Sequence, residues 1–516
     1  MKEYKKQKRR DFICTAAAAT AGLILAPKQI AYGLGHKGPI DSPQWGELHS
    51  RNMISKVTGL PDSFSPETSR NIKWSVSIGS HNYATPVISG GKVLIGANNA
   101  DERDPRHKGD RGVLLCLNES DGSFCWQLVV PRIEGDRHHD WPMISICSPP
   151  SVEGDRVYVL TNRSEVLCLD LNGQANGNNG FQGEGWYMAP SGEFPYEVTL
   201  KDADIIWCYD LKLELGICPH DSPHASILID GDYLYLNTCN GADHRHRETY
   251  ALNAPSLIAL NKKTGRLAAI DNEHFGPRIF HNSWSSPAMG EVNGQKLIFF
   301  GGPDGILYAF EALSQTSSNE VQFLKKIWQF DCDPSAPKEN IHDYMRNRKE
   351  GPSLFFGMPV FYKNRIYVTV GGDIWWGKKE VWLKCIDATK KGDITNTGEI
   401  WSQPLEQHSA ATPAISNGLI YVTDCGKNLH CIDAESGKSY WTHQLNMDSW
   451  SSALVADGKV YVGSRGSDFW IIEEGKELKV LSSIKLDGPI CSTPVAANGV
   501  LYVSTMYRLY AIKDSS

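Results

Sequence analysis

The chain has 516 residues, 22% of them charged and 41% hydrophobic, which excludes a disordered or collagen-like polymer and allows several ordinary domains or one large repeat-built domain. The formal charge of −7 hides an asymmetry: residues 1–31 carry seven Lys/Arg and two Asp/Glu, so the remainder, with 45 basic and 57 acidic residues, stands at −12. A body that acidic excludes nucleic acid as a partner, because such binding rests on Lys and Arg neutralising phosphates.

At the start, Lys5, Lys6, Lys8, Arg9 and Arg10 precede Asp11-Phe12-Ile13 and an Ala-rich apolar run that ends at Ala26. A basic stretch before a short apolar run is the pattern of an export signal, and the run is too short to span a bilayer. The R-R-D-F-I string resembles the twin-arginine signal, which carries folded proteins across the membrane; an ordinary secretory signal with adjacent arginines is the alternative. With no other segment of membrane-spanning length, the expectation is a soluble protein, periplasmic or otherwise exported. Residues 32–70 form an N-terminal extension.

From residue 71 one unit recurs eight times: a small residue, often Pro, an apolar stretch, a tight turn, then a Val/Tyr-rich strand. The copies begin at Thr85, Ser148, Ala225, Ser286, Gly357, Ala411, Ser452 and Ser492. Each predicts two antiparallel strands joined by a Gly, Asp or Asn turn. Two further strands follow most copies, the last carrying a Trp: Trp126, Trp207, Trp328, Trp401 and Trp441, with Leu267 and Leu481 in blades three and seven. Four strands repeated radially make a β-propeller blade. The eighth copy stops after its third strand, at Leu509–Ile512, and the stretch Asn71–Val76, with Trp74 in the right place, supplies the fourth. The fold class is therefore all-β, an eight-bladed propeller over residues 71–513 with its last blade closed by the N-terminal strand. Of thirteen Cys, twelve lie beyond the leader and none forms a C-x-x-C pair. Cys116, Cys168, Cys385 and Cys431 share one repeat position and are expected to be small buried hydrophobes rather than disulfide partners.

The pattern Cys431-Ile432-Asp433-Ala434-Glu435-Ser436-Gly437-Lys438-Ser439-Tyr440-Trp441 resembles the tryptophan-docking motif of pyrroloquinoline-quinone (PQQ) repeat propellers, the quinoprotein alcohol dehydrogenase-like family. The resemblance implies that Trp74, Trp126, Trp207, Trp328, Trp401 and Trp441 dock blade against blade. It leaves function open, because the family holds both dehydrogenases and a lipoprotein of the outer-membrane assembly machinery. PQQ with Ca²⁺ is the cofactor the dehydrogenase branch implies, but no adjacent Cys-Cys pair and no Glu-and-Asn calcium motif is present here.

Long loops fall mainly on one face: 97–112, 131–147, 239–255, 271–285, 331–356 and 371–381. The insertion 172–203 lies on the other and is expected to be surface decoration. Twelve of the sixteen histidines map to the long-loop face. His81, His224, His281 and His408 precede innermost strands, and with Asn82, Trp141, His220, Asp221, Asn282, Trp284 and Trp450 they make the expected ligand-binding funnel. His220, His224, His244 and His246 are the candidate metal ligands, imidazole being a good donor to Zn, Cu, Ni or Fe. Asp221 or Asp140 is the candidate base, and Trp284 or Trp450 the candidate floor under a quinone. Filling of the funnel by stacking and hydrogen bonding is the competing interpretation. Two functions follow: an exported scaffold binding a ligand, glycan or envelope protein through the funnel face, or an oxidoreductase using PQQ or a histidine-bound metal. His281, as a loop residue, is expected to be exposed and to carry little stability.

Overall fold

A computed structural model describes residues 39–135, 137–314 and 320–514. The expected export signal at 1–31 lies outside them, and everything below belongs to the unit Ile40–Ser516. Eight antiparallel sheets, each with a four-stranded meander at its heart, follow one another along the chain as the eight blades of a propeller. In blade 1 the strands are Val87–Ser89, Lys92–Asn98, Arg111–Asn118 and Phe124–Pro131. Blade 8 takes Val495–Ala497, Val500–Ser504 and Arg508–Ile512 from the C-terminal end, and Ile72–Ser77 pairs antiparallel with the last of these. The ring is closed by its own two ends.

Blades pack face to face, so their middle strands are covered on both sides and are mostly apolar. Leu419–Asp424 of blade 6 is buried throughout, whereas its outermost strand Ser439–Gln444 alternates between exposed and half-buried. The core is accordingly split into layers between neighbouring blades. One layer joins Val495 and Tyr502 of blade 8 to Ile88 and Val93 of blade 1; the next joins Leu94 and Leu114 to Val157 and Leu167 of blade 2. At about 1.5–3 kcal/mol per fully buried large apolar side chain, these layers carry most of the stability.

Six outer-strand tryptophans tie the layers together. Trp74, Trp126, Trp207, Trp328, Trp401 and Trp441 each donate the indole N–H to a backbone carbonyl of the next blade, at 3.0–3.2 Å. Under Trp74, Trp126, Trp207 and Trp401 lies a glycine of the receiving turn: a Cβ on Gly437, whose φ is +73°, would stand 2.7 Å from Trp401. Opposite four of the indoles sit Cys116, Cys168, Cys385 and Cys431; Ala309 and Ala511 face the other two. The position requires a small apolar group, and the twelve cysteines among the described residues are free.

The extension is more than a lead-in. Residues 40–55 run round one mouth of the ring and pair with the second residue of every innermost strand. Ile40 accepts from Asn498 beside blade 8, Ser42 exchanges two backbone bonds with Ile88 of blade 1, and Pro43 accepts from Val152 of blade 2. His49 bonds Ile229 of blade 3 through its ring and Met289 of blade 4 through its carbonyl. Ser50 accepts from Phe361 of blade 5, and the Asn52 amide brackets Ile415 of blade 6. Ile54–Ser55 pairs parallel with Val455 and Ala456 of blade 7, and the Ser55 hydroxyl returns to Ala496 of blade 8. Arg51, fully buried, donates to the carbonyls of Pro287, Trp45 and Ser226 and to the Ser226 hydroxyl. This segment covers the inner strand edges, which would otherwise present unpaired backbone groups.

The insertion at 172–203 departs from the expected surface decoration. It holds the short helix Glu184–Met188, which buries Met188 in the layer between blades 8 and 1, and the Tyr187 hydroxyl donates to Glu165 at 2.7 Å.

Candidate metal centre

The mouth opposite residues 40–55, a segment that laces the inner strands together and is called the lace below, is built from loops before the innermost strands and between second and third strands. The loop after residue 238 in blade 3 carries His246; residues 217–227, entering that blade, carry His220 and Asp221; residues 279–287, entering blade 4, carry His281. Ring nitrogens of His220, His246 and His281 lie within 4.8 Å of one another, and all three residues are buried. Their ring centroids are 4.5–4.8 Å apart and the planes are crossed at 65–81°, so the rings converge on a point rather than stack.

Two of these rings are held from behind. His220 donates Nδ1–H to the Ala242 carbonyl at 2.8 Å, and His281 donates Nδ1–H to Asp373 at 2.7 Å. Asp373, itself buried, accepts from the amides of Trp375 and Trp376 at 2.8 and 2.7 Å. Fixing Nδ1 in this way turns Nε2 inward, the arrangement that orients imidazole ligands in metal sites. His246 Nε2 is buried and has no hydrogen-bond partner among the described residues. Asp221 sits between the rings, 3.6 Å from His281 Nε2 and 3.8 Å from His220 Nε2. Its backbone is left-handed, φ 61°, a conformation Asp tolerates better than most residues.

Burial, reinforced by neighbouring imidazoles, pushes His220 down to about 4 and His246 to about 3. Both rings are therefore neutral with lone pairs available, the state a metal requires. His281 runs the other way: burial alone would lower it, but Asp373 and Asp221 lift it to about 9. A ring of lone pairs beside two carboxylates already attracts one positive charge.

The remaining expected residues are placed as follows. Of His81, His224, His281 and His408, the structure brings only His281 to this point. His81 is exposed and bonds the Ser80 hydroxyl; His408 is buried, donating to Gly372 and accepting from Arg348. His224 does not join the cluster, because it stacks on Trp284 at 4.8 Å with planes 17° apart. His244 is exposed on the rim, bonded by Arg245 and stacked over His138. Asp140 stands apart from the cluster, buried 2.7 Å from Arg132 and from the Asn162 amide, with the Ile133 N–H on its second oxygen. Asn82 and Asn282 are structural, the first bonding Ser504 and the second bracketing the His220 carbonyl and the Ser283 amide. Trp141 packs edge-on against His138, and Trp450 lies beside Tyr83 and Trp375. His281 is 2% exposed and ion-paired, not the exposed loop residue expected. Asp373, His138 and Trp375 were not singled out by spacing, since Asp373 meets His281 across 92 residues of chain.

Residues 67–213 and 390–481 match the family described as outer membrane protein assembly factor BamB. No curated protein sequence matches. Among solved structures, the quinohemoprotein alcohol dehydrogenase ADHIIG from Pseudomonas putida HK5 superposes with a TM-score of 0.56 at 10% identity, covering 92% of this chain and 80% of that one. A europium-containing methanol dehydrogenase gives 0.54 at 12% identity, covering 91% and 90%. BamB from Moraxella catarrhalis gives 0.49 at 11%, covering 85% and 97%. Identities this low show the fold alone. No helix among the described residues is long and apolar enough to cross a membrane. Repeat pattern, closure and indole docking make the chain an eight-bladed β-propeller, and the match over residues 67–213 and 390–481 shows which family its repeats are similar to.

Proposed function

We propose that this protein is an exported binding propeller whose recognition centre is a divalent transition metal held by His220, His246 and His281, with Asp221 beside it. The observation that carries this reading is the convergence of three buried imidazoles, two oriented through Nδ1 and the third with a buried Nε2 that has no hydrogen-bond partner. An all-imidazole set suits Zn, Cu, Ni or Fe rather than Ca or Mg. Three protein ligands leave a coordination position for an incoming ligand, and the centre faces the mouth that residues 40–55 leave free.

The residues do not fit a bound quinone. A tricyclic quinone needs an open indole face, and both candidate floors are covered: Trp284 by His224, and Trp450 by Arg465 at 4.2 Å and Tyr83 at 6.1 Å. The donors gathered beside Trp284 are imidazole nitrogens with the single carboxylate of Asp221 among them, where calcium would require a set made mostly of oxygens. No step through a quinone is derived.

The test is metal analysis of purified protein, followed by Zn²⁺ or Co²⁺ titration of the chelator-treated full chain. One equivalent is expected, lost in His246→Asn, a substitution that suits the left-handed backbone at φ 53°. Equal metal uptake by wild type and His246→Asn would overturn the reading.

A further inference from the structure

The three histidines form the hub of three aromatic spokes. Trp141 packs against His138 at 5.3 Å, and His138 lies 5.6 Å from His220. Trp376 is 5.0 Å from His246. Trp450 reaches His281 through Trp375, with centroid separations of 5.6 and 5.4 Å. Each of these spokes ends in an indole that carries a guanidinium on its face: Arg137 at 4.1 Å over Trp141, Arg346 at 5.3 Å over Trp376, and Arg465 at 4.2 Å over Trp450. The pairs come from separate parts of the ring, entering blade 2, around blade 5, and around blade 7.

All three arginines are exposed. Elsewhere an arginine over an aromatic ring is a structural element neutralised by a carboxylate: Arg163 lies over Tyr187 and pairs with Glu165 at 3.2 Å, and Arg278 lies over Phe275 and pairs with Asp304 at 2.9 Å. At the mouth only Arg465 has such a partner, Asp448 at 2.9 Å; among the described residues no carboxylate pairs with Arg137 or Arg346. Stacking engages the face of a guanidinium and leaves its N–H edge free, and that edge matches the paired oxygens of a carboxylate or phosphate. Holding each cation over an indole also removes some of the rotamer freedom that binding would otherwise have to freeze.

We propose that this mouth binds a polyvalent oxyanion bearing carboxylate or phosphate groups, with Arg137, Arg346 and Arg465 as separate docking points for its outer charges and one inner oxygen directed at the histidine hub. The inner contact rests on the metal reading; the arginine contacts do not. A neutral ligand recognised by the indoles alone would leave two unpaired guanidiniums without a role.

Inorganic phosphate and malonate, with glucose as the neutral control, are titrated calorimetrically into the full chain, metal-free and loaded with Co²⁺. Both anions are expected to bind and glucose is not; preference for one anion identifies the phosphate or the carboxylate source. In the loaded protein the bound anion shifts the visible Co²⁺ bands. In the triple variant Arg137→Gln, Arg346→Gln, Arg465→Gln the anion affinity falls about tenfold or more, while melting and Co²⁺ uptake stay as in wild type. Unchanged anion affinity in the triple variant, or Co²⁺ uptake with no anion binding, overturns this inference and leaves the metal reading intact. Arginine-dependent anion binding in a protein that takes up no Co²⁺ overturns the metal reading and the inner contact, and leaves the arginine rim.

Discussion

The two mouths of the ring start from the same eight innermost strands and end in opposite chemical states. At the laced mouth the second residue of every inner strand has a partner in residues 40–55, and the buried guanidinium of Arg51 is surrounded by carbonyls. At the histidine mouth the loops bury ring nitrogens that keep their lone pairs or protons unused, including His246 Nε2, His224 Nδ1 and Trp284 Nε1. An unsatisfied buried polar group costs about 1–3 kcal/mol, so a set of them on one side is a cost that a bound ligand would relieve. Closure and recognition are thus assigned to different ends of one scaffold.

The largest way to break this comparison is to remove closure altogether. Deleting residues 1–76 takes away both the lace and Ile72–Ser77, and a single cooperative melting transition is expected to be lost. A truncated protein that melts like the full chain would overturn closure by the N-terminal strand.

His281→Ala comes next. It leaves the buried Asp373 carboxylate without its partner, a loss of about 3–5 kcal/mol in urea denaturation. Adding Asp373→Asn should restore most of that stability while metal uptake stays absent, which separates the structural from the binding role of the same ring. At the other mouth, Arg51→Met strips donors from three buried carbonyls and should cost about 2–3 kcal/mol with metal uptake unchanged. Gly437→Ala, which forces a Cβ toward Trp401 at a left-handed backbone position, should cost about 1–2 kcal/mol by the same denaturation measurement. The smallest effect is expected at the exposed rim, where His81→Ala should change stability by less than about 0.5 kcal/mol and leave metal uptake as it was.

What could be anticipated from the chain alone divides along the same line. Eight copies of one strand pattern are legible because each blade must solve the same packing problem, and Trp74 betrays the shared blade because it repeats the docking position. The lace carries no such repetition. Its contacting residues, from Ile40 to Ser55, meet the inner strands at uneven spacing and through different groups, so nothing periodic marks it. His220, His246 and Asp221 stand out as an imidazole-and-carboxylate cluster, yet their gathering with His281 depends on how three loops fold over one another. Spacing within a loop does not encode that. The same folding-over is why His281 is buried beneath residues from blade 5 instead of exposed, and why Asp140 is consumed by Arg132 and Asn162.

The lace has a further consequence, in time. It lies ahead of every blade in the chain yet touches all of them, including the one completed by Leu509–Ile512. After Ser55 leaves the ribosome, roughly 450 residues must still be made before its last binding sites exist, which takes about 20–90 s at 5–20 residues per second. During that interval the segment has no complete surface to rest on. The Arg51 partners Ser226 and Pro287 exist well before that point, so the segment can seat on blades 3 and 4 first, and its contacts with Val455, Ala456 and Ala496 are the late event of maturation.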